Sequence, residues 1–325
     1  MAEQQRGLIS PQKENVVIRA GVCKVSVLPR FGGKVASIQV NGHQLLQVPL
    51  APVEARTPTM PFDAGDASGW DECLPSVAAC AVPFAGSMAE IPDHGDLWRV
   101  AWKNVNSDGS GNGNSIELRA ACFSLPLELE RKLTLSETTS GFCLSSDYKV
   151  TNVGIARVPW SWSAHPLFTA AEGDRIVLPP SIHTLRVEGS GGNRLGKRGD
   201  AVTWPIATLA TGGLTDLTVA QPPESGIGDK LFAGPLSAGE NWCALERPSA
   251  GVRIRFTFDT TMTPYLGLWI CYGGWPDAPG PKQTCVAMEP ATAPVDSLAE
   301  SGPWSRVLEP GQSAIWPMHV DLEFL

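Results

Sequence analysis

Thr284-Cys285-Val286-Ala287-Met288-Glu289-Pro290-Ala291-Thr292-Ala293-Pro294-Val295-Asp296-Ser297-Leu298 is the stretch on which the reading of this chain turns. From Thr284 to Pro290 bulky residues, Val286 and Met288, alternate with small ones, Cys285 and Ala287. Successive side chains of a strand point to opposite faces, so this pattern predicts a strand with one packed face and one shallow face. Glu289 falls on the shallow side, where a carboxylate leaving a floor of small residues has room beside it for a ligand. Pro290 has no N–H to donate and stops the ladder. Strand ends are common places to assemble a site. The plainer fate of an isolated carboxylate at a strand end is to point at water.

Working outward, almost every segment reads as strand and turn. Residues 252–258 alternate strictly, residues 266–271 form the continuous apolar run of a strand buried on both faces, and the run from Trp316 places Trp316, Met318, Val320, Leu322 and Phe324 inward. Residues 116–121, 127–135 and 142–151 alternate as antiparallel strands with one wet face, and residues 99–102 look like another. Asn41-Gly42 between two such runs is a strong hairpin signal, because both central residues of a type I′ turn need positive φ. In residues 158–166 the tryptophans Trp160 and Trp162 share one face, and Ser161, Ser163 and His165 share the other. No segment shows a convincing 3.6-residue period, so the fold class is all-β, built from packed antiparallel sheets. No repeat and no linker divides the chain, and residues 1–325 are expected to form a single β-sandwich domain.

Composition bounds the function. Hydrophobic residues make up 43% of 325 positions, enough for a large core. With 25 Lys and Arg against 33 Asp and Glu, the formal net charge is -8, which argues against nucleic acid as a partner, since neutralising phosphates takes clustered cations. The Gly-rich loop 189–199 lacks the Lys-Ser/Thr ending of a phosphate loop. Residues 1–10 hold no apolar signal segment and no apolar span is long enough for a membrane helix, so a soluble, cytoplasmic protein that does not engage a membrane is expected. Eight cysteines sit mostly inside apolar runs with no C-x-x-C, which reads as reduced, buried thiols. The turn 106–114 carries no evident chemistry. The oligomeric state is not legible.

Two irregular pieces stand out. Residues 49–70 lose periodicity and end in Gly69-Trp70-Asp71-Glu72-Cys73, too rich in Trp and adjacent acids for a mere linker; residues 91–98 contain Asp93-His94-Gly95. Taken in order, Phe31-Gly32-Gly33-Lys34-Val35-Ala36-Ser37-Ile38, His94-Gly95, His165-Pro166-Leu167-Phe168 and Val286-Ala287-Met288-Glu289-Pro290 resemble the galactose mutarotase, or aldose 1-epimerase, family over nearly the whole chain. That resemblance implies an antiparallel β-supersandwich with an open sugar-binding cleft. It implies Glu289 as catalytic base, His165 as catalytic acid and His94 as a hydrogen-bond partner near the sugar's ring oxygen, with Asp229 as the nearest counterpart of a hydroxyl-binding carboxylate. An arginine usual ahead of the first histidine has no evident counterpart; Trp70-Asp71-Glu72 stands in its region.

The implied chemistry is interconversion of α and β anomers of a free aldose. A base removes the C1 hydroxyl proton while an acid protonates the ring oxygen, and a placed acid or base is worth about 10²–10⁴-fold. Such a scheme needs no metal or organic cofactor, and its partner is a small-molecule carbohydrate. Trp269, Trp70 or Trp98 are candidates to face the sugar, and Asp71 and Glu72 to bind hydroxyls. Large aromatics and isolated histidines are nevertheless most often core or structural. Three other readings stay open: a carbohydrate-binding protein without turnover, a lyase or hydrolase on a longer glycan, and a divalent metal gathered by Asp66, Asp71, Glu72 and His94.

Overall fold

The computed structural model describes residues 15–63, 65–105 and 113–325, so residues 1–10 and most of the turn 106–114 lie outside the described residues. Two large antiparallel sheets dominate. The larger, of 11 strands, runs in the order Val16–Ala20, Cys23–Leu28, Lys34–Val40, Trp70–Cys73, Ser163–Thr169, Thr284–Ala291, Tyr265–Tyr272, Ile227–Ala233, Thr184–Ser190 and Ala201–Thr203, with His43–Gln44 folded back onto Lys34–Val40. The second, of 8 strands, runs Arg175–Val177, Trp242–Arg247, Val252–Phe258, Ser313–Phe324, Gly141–Asn152, Leu127–Thr138, Ser115–Ala121 and Lys103–Asn104. Asn41 and Gly42 turn the early hairpin at φ 50° and 84°, as the type I′ reading requires.

The alternation in Thr284–Ala291 sorts its side chains as expected. Val286 and Met288 join the main core with Leu268 and Ile270 of the same sheet and Leu129, Leu133, Phe256 and Val320 of the other. Cys285 and Ala287 form a separate small cluster with Leu167 and Cys271, against which Trp269 and Trp275 pack. Every described cysteine is a free thiol. Among the described residues no helix is long and apolar enough to cross a membrane.

Some local expectations are corrected. Residues 99–102 are not a strand: Leu97–Arg99 is a 3-10 turn, closed by Arg99 N donating to Asp96 O at 3.0 Å, and only Lys103–Asn104 pairs. Residues 158–166 do not form one strand, because Val158–Trp160 pairs with Arg306–Leu308 while Ser163–Thr169 enters the large sheet. Phe324 is half exposed. Pro290 does not end its strand, which carries on to Ala291.

An ion pair ties the sheets together. Glu72 leaves the large sheet on its core side and meets Arg131 of the second sheet at 2.8 Å, both with no exposed surface. Tyr148 Oη and Trp162 Nε1 donate to the same carboxylate at 3.0 and 2.9 Å. Burial pushes the Glu72 carboxyl up, and Arg131 works against that. Removing one partner of such a pair strands the other charge in the interior. Arg131→Met is expected to cost about 3–5 kcal/mol in denaturant unfolding; a loss below about 1 kcal/mol, the scale of an exposed pair, would show that the pair does not hold the sheets.

Candidate functional site

Antiparallel register lines up the key residues across the large sheet. Residues opposite one another in a ladder share a face. Asp71 pairs with His165, Glu289 pairs with Gly267, and Gly267 pairs with Phe232. The pairs Ser163–Ala291 and Leu167–Ala287 bracket His165 and Glu289 and bring them opposite each other. His165 Nε2 lies 3.8 Å from Glu289 Oε1. Gly267 is glycine for a steric reason: a Cβ there would lie 3.2 Å from both Glu289 Oε2 and the Phe232 ring. One pair along the sheet, Lys230 faces Trp269 on the same side, and Lys230 Nζ donates to Glu289 Oε2.

His94 arrives from outside the sheet, on a turn with φ 59°, followed by Gly95 at φ 68°. Gly95 is needed there because a Cβ would sit 2.3 Å from Leu74 O. Arg99 cements the turn by donating through Nη1 to Asp93 O and Gly95 O, both at 2.5 Å, and through Nε to Met60 O at 2.9 Å. Asp96 anchors it further, accepting from the N–H groups of Phe123 and Ser124 at 2.9 and 2.8 Å. The His94 ring stacks on Phe62 with centroids 3.6 Å apart, bonds Asp93 Oδ2 through Nδ1 at 2.8 Å, and meets the His165 ring edge-on at 5.0 Å.

These groups surround a cavity of about 490 Å³, lined by Phe62, Asp93, His94, His165, Lys230, Trp269, Trp275, Gln283 and Asp296 among others. That is within the range of small-molecule sites, about 300–1,000 Å³. Glu289 contributes no surface to it. Its carboxylate is fully buried, with Oε1 unpartnered toward His165 and Oε2 on Lys230, the two groups that do line the cavity. Burial raises the Glu289 carboxyl above its usual range, with Lys230 opposing. Burial, and then His94, Lys230 and Lys34, hold His165 well below the ordinary histidine value. Lys230 is pushed up: burial works against its charge, but the carboxylates of Asp296, 3.7 Å away, and Glu289 outweigh it.

Of the residues singled out in the sequence, His94, His165, Glu289 and Trp269 are brought together. Trp269 lines the cavity, its Nε1 donating to Gln283 Oε1 at 2.9 Å. The others are not. Trp70 and Glu72 face the core, because the register that puts Asp71 beside His165 turns its two neighbours the other way. Asp71 shares the face but is held at 2.5 Å by the buried Lys34 of the Phe31-Gly32-Gly33-Lys34 motif and lines no cavity. Asp229 is fully buried, accepting from Ser190 Oγ and Arg194 Nε at 2.6 and 2.8 Å; the residue on the cavity side is its neighbour Lys230. Trp98 packs beneath Arg99 and Phe62 instead of lining the cavity. Among the described residues no three His, Cys, Asp or Glu are arranged to hold a metal. Asp66 and Asp71 belong to Lys34, and Glu72 to Arg131. Lys230, Asp296 and Arg99 escaped the sequence reading; a lone Lys at the mouth of an apolar strand was the one available signal.

No protein-family profile and no curated protein matches this chain. Solved structures do. The Slr1438 protein from Synechocystis sp. PCC 6803 superposes with a TM-score of 0.71 at 18% identity, over 100% of both chains. A galactose mutarotase-like protein from Lactobacillus casei ATCC 334 gives 0.64 at 18% identity, over 95% of this chain and 100% of that one. The chain has the galactose mutarotase-like fold. A candidate aldose 1-epimerase from Escherichia coli K12 has the same architecture, with a TM-score of 0.69 at 17% identity over 96% and 99% of the two chains. The galactose mutarotase-like antiparallel supersandwich expected from the four short motifs is therefore the fold observed.

The depressed His165 has a measurable signature. Its ring nitrogens, assigned in 15N NMR by comparison with His165→Asn, are expected to stay those of a neutral imidazole as pH falls through about 6.5, the ordinary value. Over that window the unfolded chain takes a proton that the folded chain refuses, so His165 contributes a loss of stability as pH drops toward its folded value. Titration of His165 at or above about 6.5 would contradict the geometry.

Proposed function

We propose that this protein is an aldose 1-epimerase-like isomerase, a single mutarotase-like unit that opens and recloses the ring of a free aldose without a cofactor. The observation that carries the proposal is that His94 and His165, far apart in sequence, line one small cavity and Glu289 lies directly behind it, with His165 Nε2 and Glu289 Oε1 3.8 Å apart.

In this reading His165 takes up a proton as the sugar binds; Glu289 then takes the proton of the C1 hydroxyl while His165 passes its own to the ring oxygen. The ring opens to the aldehyde, C1–C2 rotates, and the same groups act in reverse. Burial makes ionised Glu289 a stronger base, and protonated His165 a stronger acid, than either is in water. Proton transfer gains from both, and the pH dependence of the rate belongs to the pair and not to either residue. His94, fixed by Phe62 and Asp93, polarises the ring oxygen region. Trp269 and Trp275 give the sugar's C–H face an apolar wall. Lys230, the cation among the residues that line the cavity, is held by two carboxylates, which suits an uncharged sugar better than a phosphorylated one.

A second reading, sugar binding without turnover, has one observation in its favour: Glu289 has no exposed surface. Polarimetry on freshly dissolved aldoses separates the two. The parent protein is expected to speed anomer equilibration, with Glu289→Gln and His165→Asn each slower by about 10²–10⁴-fold. Calorimetric binding with equilibration left at the spontaneous rate would establish the binding-only reading, and a Glu289→Gln variant as fast as the parent would remove Glu289 from the base role.

A further inference from the structure

Lys230 is the least expected group in the cavity. It rises from Ile227–Ala233 on the same face as Trp269, its ammonium bonds Glu289 Oε2, and Asp296 Oδ1 lies 3.7 Å away with no hydrogen-bond partner of its own. Asp296 belongs to the segment after the Glu289 strand, whose backbone is pinned by Val77 and Ala78 N–H groups donating to Asp296 O at 3.0 and 2.9 Å. One cation therefore stands between two carboxylates, one of which is the proposed base.

The arrangement addresses a physical problem. A carboxylate with no exposed surface tends to take up a proton, since taking its charge out of water is costly. A base must stay ionised to work. An ammonium bonded to one oxygen favours the ionised form and leaves the other oxygen, Oε1, free and directed toward His165. The opposite problem appears once Glu289 has taken a proton, when the ammonium would be left as a buried cation without a counter-charge. Asp296 fills that gap, because its carboxylate is within reach and otherwise unused.

The other groups facing Glu289 do not offer this. They are His165, His94, Asp296 and the thiols of Cys73 and Cys285. Burial pushes both thiols up and His165 down, toward their neutral forms, and His94 is bonded to Asp93. Among the described residues, only Lys230 combines a positive charge with a direct bond to the base.

We propose that Lys230 is a positioning residue of this site: its ammonium keeps the buried Glu289 ionised behind the cavity and falls back on Asp296 while the carboxylate holds a proton. The proposal rests on Glu289 being the base, but its test does not need turnover. In protein labelled with 13C at the glutamate side-chain carboxyls, the Glu289 signal is identified as the one missing from Glu289→Gln, and its titration is followed in the parent and three variants. In Lys230→Met the Glu289 midpoint is expected to rise by about 1–3 pH units, the effect of losing an adjacent opposite charge. In Asp296→Asn it is expected to fall, since a competing anion is gone and Lys230 is left to Glu289 alone. Lys230→Arg is expected to keep it near the parent value, and it also serves as the folded control should the Met variant not be recovered: a midpoint displaced upward in Lys230→Arg to the Met level would overturn the proposal. An unmoved Glu289 in Lys230→Met, or shifts of the same sign in Lys230→Met and Asp296→Asn, would also overturn it. If the shifts appear as expected while no aldose is equilibrated by the parent, the Lys230 assignment stands and the isomerase reading fails.

Discussion

The antiparallel register that sets Trp70–Cys73, Ser163–Thr169, Thr284–Ala291 and Tyr265–Tyr272 side by side is the constraint on which the site depends. Because the side-chain period is two, a slip of one residue in Thr284–Ala291 would send Glu289 into the core and bring Met288 out in its place. The slip is opposed by packing: Val286 and Met288 belong to the main core, and Cys285 and Ala287 leave the cavity face shallow. The same hydrophobic pattern that stabilises the sheet therefore aims the carboxylate. No separate device is required to place it opposite His165.

Placing charges in such an interior has a cost, and the chain meets it by pairing. Glu72 with Arg131, Asp71 with Lys34 and Asp174 with Arg247 are all buried pairs away from the cavity. They serve the architecture. Glu289 differs in its surroundings: its open Oε1 lies 3.8 Å from Nε2 of the cavity-lining His165. Unused hydrogen-bonding capacity in a buried setting is destabilising unless a ligand takes it up. Glu289 Oε1 beside His165 and Asp296 Oδ1 beside Lys230 both adjoin cavity-lining groups, which is a physical reason for reading the cavity as a site.

How much was legible in the sequence follows from which of these relations are local. The face of Glu289 could be read from four neighbouring residues, because alternation is a property of a short window, whereas the window from Trp160 to His165 spans a break between two strands. The all-β class followed from the same alternation repeated along the chain. Parity failed where a strand emerged from an irregular segment: nothing local says whether Asp71 or its neighbours Trp70 and Glu72 face the cavity, and the pairing with His165 decides it. Asp229, named from the resemblance, stands one position from Lys230, the residue that lines the cavity. The role of Lys230 depends on Glu289 and Asp296, both more than fifty positions away, and the placing of His94 depends on Arg99 reaching back across its turn. Such contacts between distant segments leave no periodic trace.

The proposed reaction requires one free sugar to sit with its anomeric centre between Glu289 and His165. A crystal structure of the protein with a free aldohexose such as D-glucose tests this most directly. The account predicts the C1 hydroxyl within hydrogen-bond distance of a Glu289 oxygen and the ring oxygen within that distance of His165 Nε2. A sugar bound in the cavity with C1 turned away from both, and Glu289 still sealed behind Lys230, would contradict it.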